Sequence, residues 1–445
     1  MSWTQHDSEW RCPLGVEESA FLAIAASGMS PNKENLFVMA AVRIKVSSPS
    51  NDVHLEQRLR SIWANLRLCH PGIATALRDG EKCYQPTTTG DGLKAWVASS
   101  FYVETVAASV DDLFSQHLKF PHLKNSASCH WLPASSELAI GTSHWRCDGR
   151  GLFMLLHEFL TLLARPHIGA TIRDLGSETA NLVPSFDAIM RVPHSVLPEN
   201  SRRADAILSD CMKGGSSIGL PVASGKVPGN TVRLETSIPN IASTLRAACR
   251  ARGIRLSAAL HASIIATTAR YCQADAADEP KYRSIAVFDL RKHCPKPFDG
   301  PLHAAALRAT ALPIAVDATD NWNYLAKHLH SVYRETFEPG KKDMMFVRIP
   351  LIERMASLLA TPTTEPWLSN LGVLDDYVSM KYGDVNVENV WLGVQAVTPQ
   401  LVVHTWSWNG RLHISACYNE SFYEAAFVKQ WLEEVKTNLL KNLGV

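Results

Sequence analysis

Hydrophobic positions along the 445-residue chain switch repeatedly between a period of two and a period near 3.6, the mark of alternating strands and helices. Leu36 to Val46 begins as a continuous apolar run and ends alternating at Val42, Ile44 and Val46, which predicts a strand buried at its start. Residues 54–68 put Leu55, Leu59, Ile62, Trp63 and Leu66 on one face, with Arg58, Arg60 and Arg67 largely outside it. This predicts an amphipathic helix, stopped by His70-Pro71-Gly72 because proline disfavours helical geometry in the residue before it. Asp79-Gly80 marks a turn, and Ser109-Val110-Asp111-Asp112 offers an N-cap and first-turn charge for a helix over 110–118. A strand from Ser136 to Ser143 then leads, through a short polar loop, into a strongly apolar helix from Leu152 to Ala164. Arg165-Pro166 ends it, and residues 170–212 read as mixed helix and loop.

Between Gly214 and Gly229 lie five glycines, two prolines and three serines, a linker composition. A chain of this length exceeds what one hydrophobic core usually supports, so the linker at 214–230 divides an N-terminal domain, 1–213, from a C-terminal domain, 231–445. The second half repeats the alternation: a strand at 231–236, helices at 240–251 and 256–271, and a strand at 285–290 that delivers Arg291. A helix follows at 320–335, then strands at 390–397, 401–408 and 411–418, and a closing helix at 421–440. The predicted class is α/β (or α+β), with each domain a sheet covered by helices.

Composition adds mainly exclusions. The net charge is +1, from 44 basic and 43 acidic residues, so no electrostatic reason exists to expect nucleic acid or a membrane surface as partner. No run approaches the ~20 apolar residues of a membrane span, and the polar, acidic N-terminus lacks the apolar centre of a signal peptide. The ten cysteines form no C-x-x-C pair. They therefore read as reduced thiols of a cytoplasmic protein, with no metal site.

The candidate chemistry sits in the loop between the 136–143 strand and the apolar helix, His144-Trp145-Arg146-Cys147-Asp148-Gly149-Arg150-Gly151. A histidine titrates near neutrality, so it can take a proton from a hydroxyl or amine attacking a carbonyl and pass it to the leaving group. A backbone N–H at the helix start, Gly149, can face the oxyanion that such an attack creates. Asn370, or a hydroxyl near the end of the 401–408 strand, suits that task as well. The same residues also suit a core histidine beside a helix-capping aspartate. Trp145, Trp406 and Trp408 are candidates for lining an apolar pocket, or equally for core packing. Gly215-Ser216-Ser217-Ile218-Gly219 fits the G-x-S-x-G hydrolase pattern, but it lies inside the linker rather than on the strand-to-helix elbow the pattern needs.

His144-x-x-x-Asp148-Gly149 resembles the signature shared by chloramphenicol acetyltransferase, plant BAHD acyltransferases, trichothecene acetyltransferases and condensation domains of peptide synthetases. The likeness extends through Leu66-Arg67-Leu68-Cys69-His70-Pro71, Gly253 to Leu260, Phe288-Asp289-Leu290-Arg291 and Ser369-Asn370-Leu371-Gly372. The last of these, with His144-Trp145-Arg146, looks most like the fungal trichothecene-type and condensation-like branches. The plant branch's D-F-G-W-G has only Lys381-Tyr382-Gly383-Asp384 in its place, and Ser143 stands where peptide-forming domains carry a second histidine.

The resemblance implies a chloramphenicol acetyltransferase-like fold, two similar domains with an active-site tunnel between them. It implies His144 as general base, with Asp148 structural and paired to Arg291. It further implies acyl transfer from a thioester, most simply acyl-CoA as co-substrate, to a hydroxyl or amine of a small specialised metabolite. No cofactor would be bound permanently, and the protein would act as a monomer. Ser369 and Asn370 would border the site. Two alternatives share the fold: a donor thioester held on an acyl-carrier protein, and a cyclisation, or a binding role, without acyl transfer.

Overall fold

The computed structural model describes residues 2–26, 33–47, 52–118, 126–165, 175–192, 196–223, 226–272, 279–359 and 363–445. Sixteen strands form three sheets. A small antiparallel sheet joins β1 (Thr4–His6), β2 (Glu9–Pro13), β5 (Glu81–Tyr84) and β4 (Ala76–Arg78). The first large sheet contains β3 (Val38–Val46), β6 (Phe101–Val103), β7 (Ser128–Leu132), β8 (Glu137–Thr142), β13 (Lys381–Tyr382) and β14 (Val385–Val394). Their spatial order is β13-β14-β3-β8-β7-β6. The second contains β9 (Thr231–Ile238), β10 (Lys281–Asp289), β11 (Ala309–Asp317), β12 (Trp367–Val373), β15 (Val402–Trp408) and β16 (Arg411–Asn419), in the order β11-β10-β12-β15-β16-β9.

Most elements fall where the periodicity puts them, because long apolar stripes leave one way to bury them. The helix predicted at 54–68 is Asp52–Cys69, those at 240–251 and 256–271 are Ala242–Ala251 and Leu256–Ala269, and the closing helix is Ala425–Leu443. The helix after the histidine motif begins three residues early, at Gly149, because Asp148 caps it. The described part of 170–212 is mixed helix and loop as expected, with the short elements Ser177–Asn181 and Phe186–Ile189 and a full helix, Pro198–Met212, while 170–174 and 193–195 lie outside the described residues. Two expectations need correction. The 110–118 helix is α-helical only over Val110–Asp112 and continues as a π-turn, Leu113–His117. The linker is partly built into the second half: Ile218 and Leu220 are buried in its core, and their N–H groups donate to the carbonyls of Lys281 and Thr364.

A split at the linker also does not follow the sheets. Residues 381–394, from the second half of the chain, cross back as β13 and β14, and β14 pairs with β3 along its whole length, from Val385↔Val46 to Val394↔Val38. The halves are therefore stitched through a shared sheet. Their cores meet as well: Val402, Trp406 and Trp408 of β15 pack into the hydrophobic cluster of the first sheet, while Val403 between them packs into that of the second. Alternation along this strand thus turns one face toward the first half of the molecule. Among the described residues, no helix is long and apolar enough to cross a membrane, and none of the ten cysteines forms a disulfide.

Candidate active site

The motif loop is fixed by bonds within itself and to distant parts of the chain. Asp148 is the N-cap of Gly149–Leu163, and its Oδ1 accepts from Gly151 N–H at 2.9 Å. Arg146, fully sequestered, donates to the carbonyl of Thr75 at 3.0 and 2.8 Å and to Thr142 Oγ1 at 2.7 Å. Ser143 donates to Glu34 at 2.8 Å. Gly151 has no room for a side chain: a Cβ there would lie 2.5 Å from both the Ala304 carbonyl oxygen and Cys147 Sγ. The loop therefore cannot relax without breaking buried hydrogen bonds.

The second half completes this arrangement. Arg291, which follows β10, donates to Asp148 Oδ1 at 2.9 Å, and Arg308 N–H donates to Oδ2 at 2.7 Å. Burial alone would raise the Asp148 carboxyl, but the Arg291 guanidinium and these N–H groups hold it below its ordinary value. Arg291 is shared with Asp289 at 3.1 Å, and Asp289 also pairs with Arg150, whose Nε donates to the Leu371 carbonyl at 3.0 Å.

His144 points away from this network. Its ring stacks on Phe21 of the N-terminal helix Val16–Ala26, centroids 4.1 Å apart and nearly parallel at 8°. Nδ1 is buried without a partner of hydrogen-bonding geometry, although the histidine's own carbonyl, like the Asp148 charge, favours the protonated ring. Burial outweighs both and lowers the ring's proton affinity, so the base form persists below the usual imidazole range. The ring lines a cavity of about 130 Å³ between the two large sheets. Its walls are mainly aliphatic and aromatic, with Glu17, Ser369, Asn370 and His404 among the few polar contributors.

Of the residues singled out from sequence, the structure gathers His144, Asp148, Gly149, Arg291, Ser369 and Asn370 around this one cavity. The three tryptophans are not part of its wall. Trp145 is buried on another side of the loop, beneath the Arg146 guanidinium at 4.4 Å. Trp406 stacks on His413, and Trp408 donates to the Val378 carbonyl at 2.8 Å. Trp406 and Trp408 fill the core between the sheets as bulky apolar side chains, so none of the three tryptophans borders the cavity that His144 lines. Asn370 Oδ1 is engaged by Gly372 N–H at 2.9 Å, where the β12–β15 register shifts. Tyr382, in the segment standing where D-F-G-W-G would fall, braces the motif helix through His157 Nδ1 at 2.7 Å. Ser217 bridges Lys281 at the start of β10, outside the cavity wall.

Sequence reasoning missed two contributors. One is the Val16–Ala26 helix, which brings Glu17, Ala20, Phe21 and Ile24 to the cavity. The other is His404 in β15. A histidine inside the apolar run Leu401 to Trp408 was a signal, but His261 shows why it does not discriminate. That ring is also fully buried in an apolar stretch, and it is bonded to Tyr333 and Tyr282 as an ordinary core residue.

Two six-stranded sheets joined by an exchanged hairpin, with an H-x-x-x-D-G loop at their junction, define the fold class: chloramphenicol acetyltransferase-like and condensation-domain-like. No family model matches the chain. It is 28% identical to acetyltransferase pigO of Monascus ruber, over 100% of this chain and 99% of that protein. It is 25% identical to O-acetyltransferase pigM of the same organism, over 96% of this chain and 84% of that protein. Among solved structures, the trichothecene 15-O-acetyltransferase of Fusarium sporotrichioides superposes with a TM-score of 0.81 at 15% identity, covering 98% of this chain and 96% of that one. The full-length likeness to these fungal acetyltransferases marks the chain as an acyltransferase, and the superposition shows that it has the fold of the trichothecene 15-O-acetyltransferase.

Proposed function

We propose that the protein moves an acyl group from an acyl-CoA thioester to a hydroxyl or amine of a small specialised metabolite, with His144 as general base. One observation carries this reading: the His144 ring faces an apolar cavity, burial keeps it in the base form, and no other described residue hydrogen-bonds it. A ring so placed is free to accept a proton from the acceptor as the acceptor attacks the thioester carbon. The carbonyl electrons move onto oxygen, the C–S bond then breaks as they return, and His144 gives its proton to the departing thiolate. Asp148 takes no part in proton transfer. It holds the loop by accepting from Arg291, Gly151 and Arg308. The cap uses Gly151 N–H and leaves Gly149 N–H at the positive end of the helix dipole, where Gly149 borders the cavity and can donate to the oxyanion. The aliphatic walls suit an apolar acceptor skeleton or acyl chain.

Thiol release from acetyl-CoA, followed with a panel of hydroxyl- and amine-bearing metabolites and read by product mass, tests this. The expected result is a product heavier by the acyl group, and a fall of about 10²–10⁴ in kcat/KM for His144→Ala with the melting temperature unchanged. Turnover that His144→Ala leaves intact would remove the base from the mechanism. Activity only on a carrier-protein thioester would change the donor, and a product of unchanged mass would replace transfer by cyclisation.

A further inference from the structure

His404 lies on the face of β15 that alternation turns toward the first half of the molecule, between Val402 and Trp406. In the parallel pairing of β12 and β15 it sits opposite Ser369, and both line the cavity that contains His144. The side chain is almost wholly buried, at 2% exposure. Its Nδ1 has no hydrogen-bond partner, and no described residue hydrogen-bonds the ring. A sealed polar ring without a protein partner is uncommon, since folding gives up its hydration and returns nothing. The other histidines in these strands do not share this condition: His413 is tied to Glu235 at 2.7 Å, and His130 to Glu104 and Ser128 at 2.8 Å each.

The ring's charge state is settled by its surroundings. Burial, then the charges of Arg233 and His144, push its proton affinity down to a pKa of about 3, so it is a neutral imidazole throughout the working pH range. A neutral imidazole carries one N–H donor and cannot act as an acid near neutrality. Two histidines thus meet in one cavity with separate capacities: His144 can gain a proton, whereas His404 stays neutral and acts through hydrogen bonds, with one N–H to donate.

We propose that His404 is a second catalytic residue, donating a ring N–H to the thioester carbonyl oxygen and stabilising the oxyanion formed when the acceptor attacks. The inference rests on the acyl-transfer reading above. The acceptor's proton goes to His144, the new bond forms at the thioester carbon, and the carbonyl pair moves onto an oxygen held by His404 N–H. Return of that pair expels the thiolate, which recovers the proton from His144. His404 keeps its own proton throughout. Its position in a rigid central strand pre-aims the donor, the condition under which such a bond favours the transition state over the ground state.

Acetyl-CoA hydrolysis, with water as acceptor, allows the test without knowing the natural acceptor. The wild-type protein, His144→Ala, His404→Phe and His404→Gln are compared in kcat and KM, alongside binding of acetonyl-CoA, in which a ketone replaces the thioester. His404→Phe is expected to lower kcat by about 10²–10³ with little change in KM. His404→Gln, which restores an N–H donor, is expected to recover part of that loss. The infrared carbonyl stretch of bound acetonyl-CoA should lie lower in the wild-type protein than in His404→Phe, and His404→Gln should fall between. Hydrolysis that depends on His144 but survives His404→Phe at the wild-type kcat, with the carbonyl stretch unmoved, overturns the role of His404 alone. Absence of any His144-dependent hydrolysis, together with no binding of acetonyl-CoA, overturns the acyl-CoA reading itself. Should His404→Phe fail to fold, His404→Leu, which likewise carries no donor, takes its place in both readouts.

Discussion

Two buried arginines each sit between two carboxylates beside the cavity, and the two clusters ionise differently. Arg291 bridges Asp148 and Asp289, while Arg348 bridges Glu17 and Asp187. Each cluster joins the two halves of the chain, and in each the central guanidinium is removed from water. Yet Asp148 is held below its ordinary carboxyl value, whereas Glu17 is pushed up to about 7. Burial opposes ionisation in both cases, so a nearby guanidinium does not by itself decide the outcome. Like charge and further N–H donors tip the balance. Asp148 takes two main-chain donors, from Gly151 and Arg308. In the other cluster the Asp187 charge raises Glu17, which beyond Arg348 has only its own backbone N–H to oppose it, and the Val16 N–H goes to Asp187 at 2.8 Å. A carboxylate saturated with donors is a fixed anchor, and one that depends on a shared arginine remains titratable.

The largest effect expected from this contrast is at the anchor. Arg291→Met leaves Asp148 charged and buried, and should cost about 3–5 kcal/mol in urea unfolding. Arg348→Met should cost less at pH 6, about 1–3 kcal/mol, because Glu17 can take up a proton instead of standing as an unpaired charge. Equal losses for the two variants would show that the donors to Asp148 make no difference.

The pH dependence sharpens the same point. Glu17 has a folded pKa of about 7, above its unfolded value, so its contribution is complete below about pH 4 and is lost as pH rises toward 7. Glu17→Gln should therefore gain roughly 1–3 kcal/mol relative to the wild-type protein between pH 5 and 8. Asp148 has the opposite sign. Its contribution is present above about pH 4 and is lost as pH falls through its depressed folded value. The wild-type advantage over Asp148→Asn should stay flat from pH 5 to 8 and shrink only in acid. Thermal melts across that range read both.

The smallest effect concerns the helix that the Glu17 cluster holds in place. Phe21 covers the His144 ring, and its removal would admit water and relieve part of the burial that lowers the histidine. The acidic limb of the kcat/KM profile should lie below about pH 6.5 in the wild-type protein and move upward by a few tenths of a pH unit in Phe21→Ala. An unmoved limb would mean that the stack does not set the desolvation of His144.

How much could be read beforehand differs between elements for identifiable reasons. The motif loop was legible because its main constraints are local: Asp148 caps Gly151 three residues on, and Arg146 reaches back to Thr142. The strands at 36–46, 231–236 and 401–408 were legible because their apolar runs admit few other states. The Val16–Ala26 helix was not. It buries Glu17 and Glu18 against Arg348 and Lys82 instead of presenting a clean polar face, so its pattern contains no amphipathic stripe. The strand signal near 390 was visible, but its pairing with β3, across more than 340 residues, was not.

By itself, then, the sequence determined the alternating α/β plan, the capped H-x-x-x-D-G loop and the identity of the candidate base, since periodicity and capping act over a few residues. Only the tertiary structure decided that residues 381–394 join the first sheet, that the tryptophans pack away from the cavity, and that His404 and Glu17 face it. Those outcomes depend on which buried surfaces meet between residues hundreds of positions apart. A histidine in an apolar strand has the same local pattern whether it faces a core or a cavity.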